Sequence, residues 1–489
     1  MRLMPVFSLT AIFFGLLFAW SACRVDPPQT QTAYPVEIER IMLTRCAQSG
    51  CHNNQSAVNA ANLNLSSFTD LLKGGNSGAV VVPFSPEQST LFQFINTYND
   101  LGPIAKPTMP INLPPLSREE VLLIKNWILK GCPNRNGEIP FSSNAATRPK
   151  AYISNQGCDG VSIVDAETRL VMRYVKIGGN LTQIENPHCL RVSPNKQSWY
   201  VCYSSGQYFD AFDAVADTLR QRTFLGNGNW NILKVTPDSR YVSVTDFSNN
   251  GKWIEMDAQT LAIRRSISGN GILTFPHGIA YSKTQDTVYV TAQYGNMIYR
   301  LIPAIPQIDA ISLQPGQAPV TTPQLLDPHE VLMSPNYQYY FITCQASNEV
   351  RVMRTGYDTL VAVIPTGTYP LEMALSAKRN ELYVVCQEDN NPNYPGFKGS
   401  VYVIDMQTYA VKRKIYERFY QPHGIAVDDT RGELYVASRN ADPNGPAPHH
   451  VSACDGRNGF FHVLDLTSYQ VLRASSELSV DPYSLDVKE

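Results

Sequence analysis

From residue 151 to the C-terminus the chain repeats itself, and that repetition constrains its fold more than any single motif. The clearest copy runs Pro276-His277-Gly278-Ile279-Ala280-Tyr281-Ser282, then Thr287-Val288-Tyr289-Val290-Thr291, then Met297-Ile298-Tyr299-Arg300. The same order restarts at Pro187-His188, Trp230-Asn231, Pro328-His329, Pro370-Leu371 and Pro422-His423, and in part at Pro482-Tyr483. Units of roughly 40 to 60 residues, built of alternating or β-branched runs between turns, read as small antiparallel sheets arranged in series. Residues 151–177 hold three strands and lack an inner one, whereas Tyr483 to Val487 is an inner strand with no followers. Joined, the two complete a seventh unit and close a ring, which hides sheet edges that would otherwise be exposed. The expectation for 151–489 is therefore an all-β, seven-bladed propeller closed by the C-terminal strand.

Ser400-Val401-Tyr402-Val403-Ile404-Asp405 and Gly432-Glu433-Leu434-Tyr435-Val436-Ala437 resemble the YVTN-type repeats of seven-bladed propellers. That resemblance implies a fold and says little about function.

Ahead of the repeats lies Cys46-Ala47-Gln48-Ser49-Gly50-Cys51-His52. Two cysteines followed at once by a histidine is the arrangement that holds a c-type haem, each thiol forming a thioether and the imidazole reaching the iron. The usual spacing places two residues between the cysteines. Here Ala47 to Gly50 intervenes, so a small Cys46–Cys51 disulfide loop remains the second reading. Ile38, Ile41 and Met42 predict a helix leading into the motif, and the stretch from Leu63 to Ser89 reads as irregular. Lys106-Pro107-Thr108-Met109-Pro110 places a methionine in a proline-stiffened loop. Ser117-Arg118-Glu119-Glu120 is a capping box opening a helix whose apolar face is Val121, Ile124, Trp127 and Ile128, with Gly131 ending it. In this order the segment 35–135 resembles the small, all-α cytochrome c domains of multidomain envelope proteins. The resemblance implies haem c, with Cys46 and Cys51 as thioether residues, His52 as the proximal iron ligand and Met109 as the distal one. The cysteine spacing and Cys132, just after the last helix, depart from the pattern.

Residues 1–22, with Arg2 and the apolar run from Val6 to Ala19, read as a signal peptide too short to span a bilayer comfortably. Trp20-Ser21-Ala22-Cys23 resembles the lipobox of bacterial lipoproteins and implies lipidation of Cys23, although an ordinary secretory cut near Ala22 is also compatible. Residues 23–34 form a tether and 136–150 a linker. Both readings of the N-terminus place the protein in the bacterial cell envelope, facing the periplasm; in the first, the lipid is its membrane anchor. A formal net charge of −2 provides no basic field for nucleic acid.

Four repeats begin with Pro-His, so His188, His277, His329 and His423 should converge at one end of the propeller channel. There they would either bind a transition metal or second haem, or simply hydrogen-bond the neighbouring blade. Gln156, Gln293, Gln345 and Gln387 should form a second ring on the same face. His449-His450 lies in a long insertion between Asn440 and Gly459, positioned either to overhang the channel or to dock on the first domain. Cys158 and Cys454, in corresponding loops of neighbouring blades, are the disulfide candidates. No nucleophile elbow, phosphate loop or carboxylate pair supports hydrolytic chemistry; oxidoreductase activity stays open. The modular order is similar to that of cytochrome-type nitrite reductases, whose propeller has one blade more. Two functions follow: an envelope redox protein passing electrons to a periplasmic partner, or a non-redox scaffold lipoprotein whose first domain has lost haem.

Overall fold

The computed structural model describes residues 32–180 and 182–489. The expected signal peptide and Cys23 lie outside the described residues. Residues 150–488 form seven four-stranded antiparallel sheets. Blade 1 is closed as expected: the C-terminal strand Pro482–Lys488 pairs with Lys150–Asn155, in a register that sets Ile153 opposite Leu485. Blades 2 to 7 follow over 187–224, 230–268, 276–312, 328–365, 370–415 and 422–480.

Inner and second strands are buried on both faces, as in Tyr152 and Val201, whereas outer strands such as Leu219–Phe224 are largely open to solvent. Aromatic side chains fill the space between blades; Trp199 stacks on Phe212 with ring centroids 3.8 Å apart.

One backbone hydrogen bond recurs in every blade. The residue just before the inner strand accepts an N–H from the residue just after the second strand. The pairs are Gln156 to Asp481, Ser204 to Asn186, Phe247 to Asn229, Gln293 to Phe275, Gln345 to Asp327, Gln387 to Tyr369 and Arg439 to Gln421. In the six blades where proline follows, the accepting residue has a positive φ, and in the blade that begins with Trp230 it does not. The Pro-His signature thus marks a fixed entry of the chain into the innermost strand.

The first domain has four short α-helices: α1 (Val36–Ile41), α2 (Phe68–Leu71), α3 (Thr90–Ile95) and α4 (Arg118–Leu129). α1 passes through a wider helical turn, Met42–Cys46, into the cysteine motif. The capping box of α4 is present in both directions between Ser117 and Glu120. α2 lies in the stretch read as irregular, and α3 follows directly after it. Each spans barely more than one turn, too little for a 3.6-residue periodicity to register; α2 is fixed by the Ser67 hydroxyl, which accepts the Asp70 N–H at 3.1 Å. The segment read as a linker is tied down near its end, where the Arg148 guanidinium donates to the Asp165 carboxylate at 2.8 Å.

The first domain docks against the outer edges of blades 7 and 1. Val82 and Ala79 pack with Val171, Tyr174 and Leu478 of the propeller, and the Arg473 guanidinium donates to the carbonyls of Lys73 and Gly75.

Candidate functional site

The first domain encloses a cavity of about 600 Å3, within the usual size range of cofactor sites. Cys46, Cys51, His52 and Met109 all line it, among Leu63, Leu65, Val80, Leu91, Phe94 and Ile95. The motif is bent into the wall by local hydrogen bonds. The His52 N–H donates to the Cys46 carbonyl at 3.1 Å and the Cys51 N–H to the Gln48 carbonyl at 3.0 Å. Gly50 takes up the turn at φ 80°, with open space where a side chain would be. Cys46 and Cys51 are both free thiols, as is the buried Cys132. Burial pushes the Cys46 thiol up to about 12.

His52 is held below its ordinary pKa by burial, so its imidazole is neutral and able to ligate, and its Nδ1 is buried without a hydrogen-bond partner. Met109 is fixed by its own N–H, which donates to the Phe94 carbonyl of α3 at 2.8 Å. Two thiols, one neutral imidazole and one thioether around a largely apolar cavity fit a covalently bound haem with histidine–methionine ligation.

The propeller also reaches this cavity. His449 and His450, from the blade 7 insertion, line it as well, so the insertion docks on the first domain and does not overhang the channel. Gln93 of α3 clasps the insertion, its side chain donating to the Val451 carbonyl at 2.9 Å and accepting the Val451 N–H at 3.3 Å. Cys158 and Cys454 form a disulfide with Cα atoms 5.8 Å apart, joining the insertion to blade 1.

The four Pro-His histidines do converge. Ring centroids are 5.8 Å apart for His188 and His277, 4.1 Å for His277 and His329, and 5.9 Å for His329 and His423. Tyr483 stacks on His423 at 3.7 Å, completing the ring with His188 at 4.5 Å. Nδ1 of His188, His277 and His423 contacts the carbonyls of Asn231, His329 and Tyr483, each in the next blade. A carbonyl only accepts, so these Nδ1 atoms carry the proton. Burial lowers the ring's pKa values, to about 3 for His188 and about 4 for His277. Among the described residues no three His, Cys, Asp or Glu side chains are grouped to hold a metal ion. Three of these histidines hydrogen-bond the next blade, whereas His329 Nδ1 is buried without a partner. The glutamines are likewise engaged locally: Gln345 donates to Asp327 at 2.6 Å and Gln387 to Glu388 at 3.0 Å.

A carboxylate pair escaped the sequence reading. Glu330 and Glu372 meet Arg191 in the channel at 3.9 and 3.5 Å, with Asp486 and Lys234 close enough to perturb them. Burial pushes the Glu330 and Glu372 carboxyls up, and the Arg191 guanidinium beside them opposes that shift. The signal was present as period-two spacing after each inner-strand start, but only ring closure brings those strands together.

Comparison with known families is consistent with this site. A family model described as Planctomycete cytochrome C matches residues 49–103, a stretch that contains Cys51 and His52 but stops short of Cys46 and Met109. No curated protein matches the chain. Among solved structures, a functionally unknown protein from Desulfotomaculum acetoxidans is similar at 12% identity and a TM-score of 0.52, covering 69% of this chain and 98% of its own; this likeness concerns the fold alone. Kuenenia stuttgartiensis hydrazine synthase, at 15% identity, covers 63% of this chain and 100% of its own, but its TM-score of 0.42 is too low to carry weight. The chain therefore joins a cytochrome c-like domain to a seven-bladed propeller, and haem-linked electron transfer, in general terms, follows from that domain.

Proposed function

We propose that this is an envelope electron-transfer protein holding one haem c in the first domain through Cys46 and Cys51, with His52 and Met109 as axial ligands. The observation that carries the reading is the convergence of these four side chains on one cavity. The haem, when bound, would supply a one-electron couple; the apolar walls keep water from it, and histidine–methionine ligation favours a high potential with no open iron site. The propeller fixes the cavity's outer wall and presents the surface for a periplasmic partner. Cys23 anchors the chain by lipid, so Cys23→Ser should move it from the membrane to the soluble fraction; an unchanged distribution would remove the anchor from this reading.

The haem is tested by expression with working haem-attachment machinery. Reduced protein should show the sharp bands of low-spin haem c and keep its colour through acid-acetone extraction, and Cys51→Ala should lose most of the covalent haem. Colourless wild-type protein would refute the assignment.

A further inference from the structure

Resting on the haem reading above, we propose that the propeller supplies a second distal-side ligand to the haem iron, His450, which takes the sixth position when Met109 leaves it. His450 belongs to the blade 7 insertion, yet it lines the same cavity as His52 and Met109. Phe94 of α3 connects it to the Met109 loop. The Phe94 carbonyl holds the Met109 backbone, and the Phe94 ring stands edge-on to the His450 ring with centroids 6.1 Å apart.

The orientation of His450 is set by Glu477, on the outer strand of the same blade. Glu477 Oε2 lies 3.3 Å from His450 Nδ1, and the same carboxylate accepts the backbone N–H groups of His449 at 2.5 Å and His450 at 3.1 Å. Both side chains are almost buried, 10% and 4% exposed. A carboxylate oxygen beside Nδ1 favours the tautomer with the proton on Nδ1 and the lone pair on Nε2. This is how proteins commonly orient and strengthen a metal-binding imidazole. Nε2 has no hydrogen-bond partner among the described residues. The Asn458 side chain donates to the His450 carbonyl at 3.2 Å, which fixes the backbone from the other side.

The exchange needs no co-reactant. His450 Nε2 would replace the Met109 sulfur as a neutral donor, with the proton remaining on Nδ1 beside Glu477. No electron is transferred in the swap. Loss of the thioether lowers the reduction potential, so the seating of the propeller insertion is read out at the haem. Glu477 acts through His450 and is a positioning residue.

The test uses full-length protein with covalent haem counted per chain. Met109→Leu removes the thioether at similar volume, and Met109→Ala serves as a second variant should leucine disturb the loop. Either variant should remain low-spin and six-coordinate, with the spectrum of two nitrogen ligands, a lowered potential and little carbon monoxide binding. Adding His450→Ala should turn the haem high-spin and raise carbon monoxide affinity at least tenfold. Adding Glu477→Gln instead should give a mixture of the two spin states. If haem is present but the Met109 variants are already high-spin and bind carbon monoxide as the double variant does, His450 is not a ligand. Absence of covalent haem from the wild type would overturn the haem reading itself, a result distinguishable from this one by colour alone.

Discussion

Single residues in this chain take their chemistry from burial. His277 has a folded-state pKa of about 4 against an ordinary 6.5, because burial disfavours its charged form. The unfolded chain therefore binds a proton at this site that the native protein does not take up until the pH is much lower. Stability from the neutral ring is complete above about pH 6.5 and is lost as pH falls from there toward 4, by up to about 1.4 kcal/mol per pH unit. Urea midpoints at pH 7 and pH 5 should show a large loss for the wild type and a smaller one for His277→Gln. Equal losses would mean that His277 is not held neutral. Arg191, by contrast, keeps its charge in the channel because Glu330 and Glu372 face it.

At the level of elements, the contact between the Gly75–Gly78 turn and the outer strand Val471–Val480 holds the two domains together. Gly78 has φ 104°, and a Cβ there would meet Ser476 Oγ at 3.0 Å and Cβ at 3.1 Å. Only glycine combines that backbone with so close an approach. Gly78→Val should separate the haem domain from the propeller without unfolding either. Small-angle scattering should report an increased radius of gyration, and proteolysis should favour the segment around 136–149; an unchanged radius would show that the contact is dispensable. The disulfide Cys158–Cys454 acts at the same level, tying the insertion to blade 1 across a sequence separation of 296 residues. Its partners were legible from repeat register, because equivalent loops of adjacent blades lie side by side. α3 was not legible: Leu91, Phe92, Gln93 and Ile95 are all buried, leaving no polar face to mark a helical period.

Taken as a whole, the molecule places the cavity of its first domain at the edge of blade 7, whose insertion lines it. The sequence by itself determined the number of blades, the closing strand and the capped α4 helix. Each of these is a local signal: turn chemistry, strand alternation or a capping box. Only the tertiary structure decided what the four Pro-His imidazoles bond to, that Glu330 and Glu372 share Arg191, and that Gln93 receives the insertion carrying His450. Those outcomes depend on which surfaces meet once the ring is closed and the first domain is seated. The contacts join residues separated by tens to hundreds of positions through packing, and packing leaves no period or spacing in the chain for a sequence reading to detect.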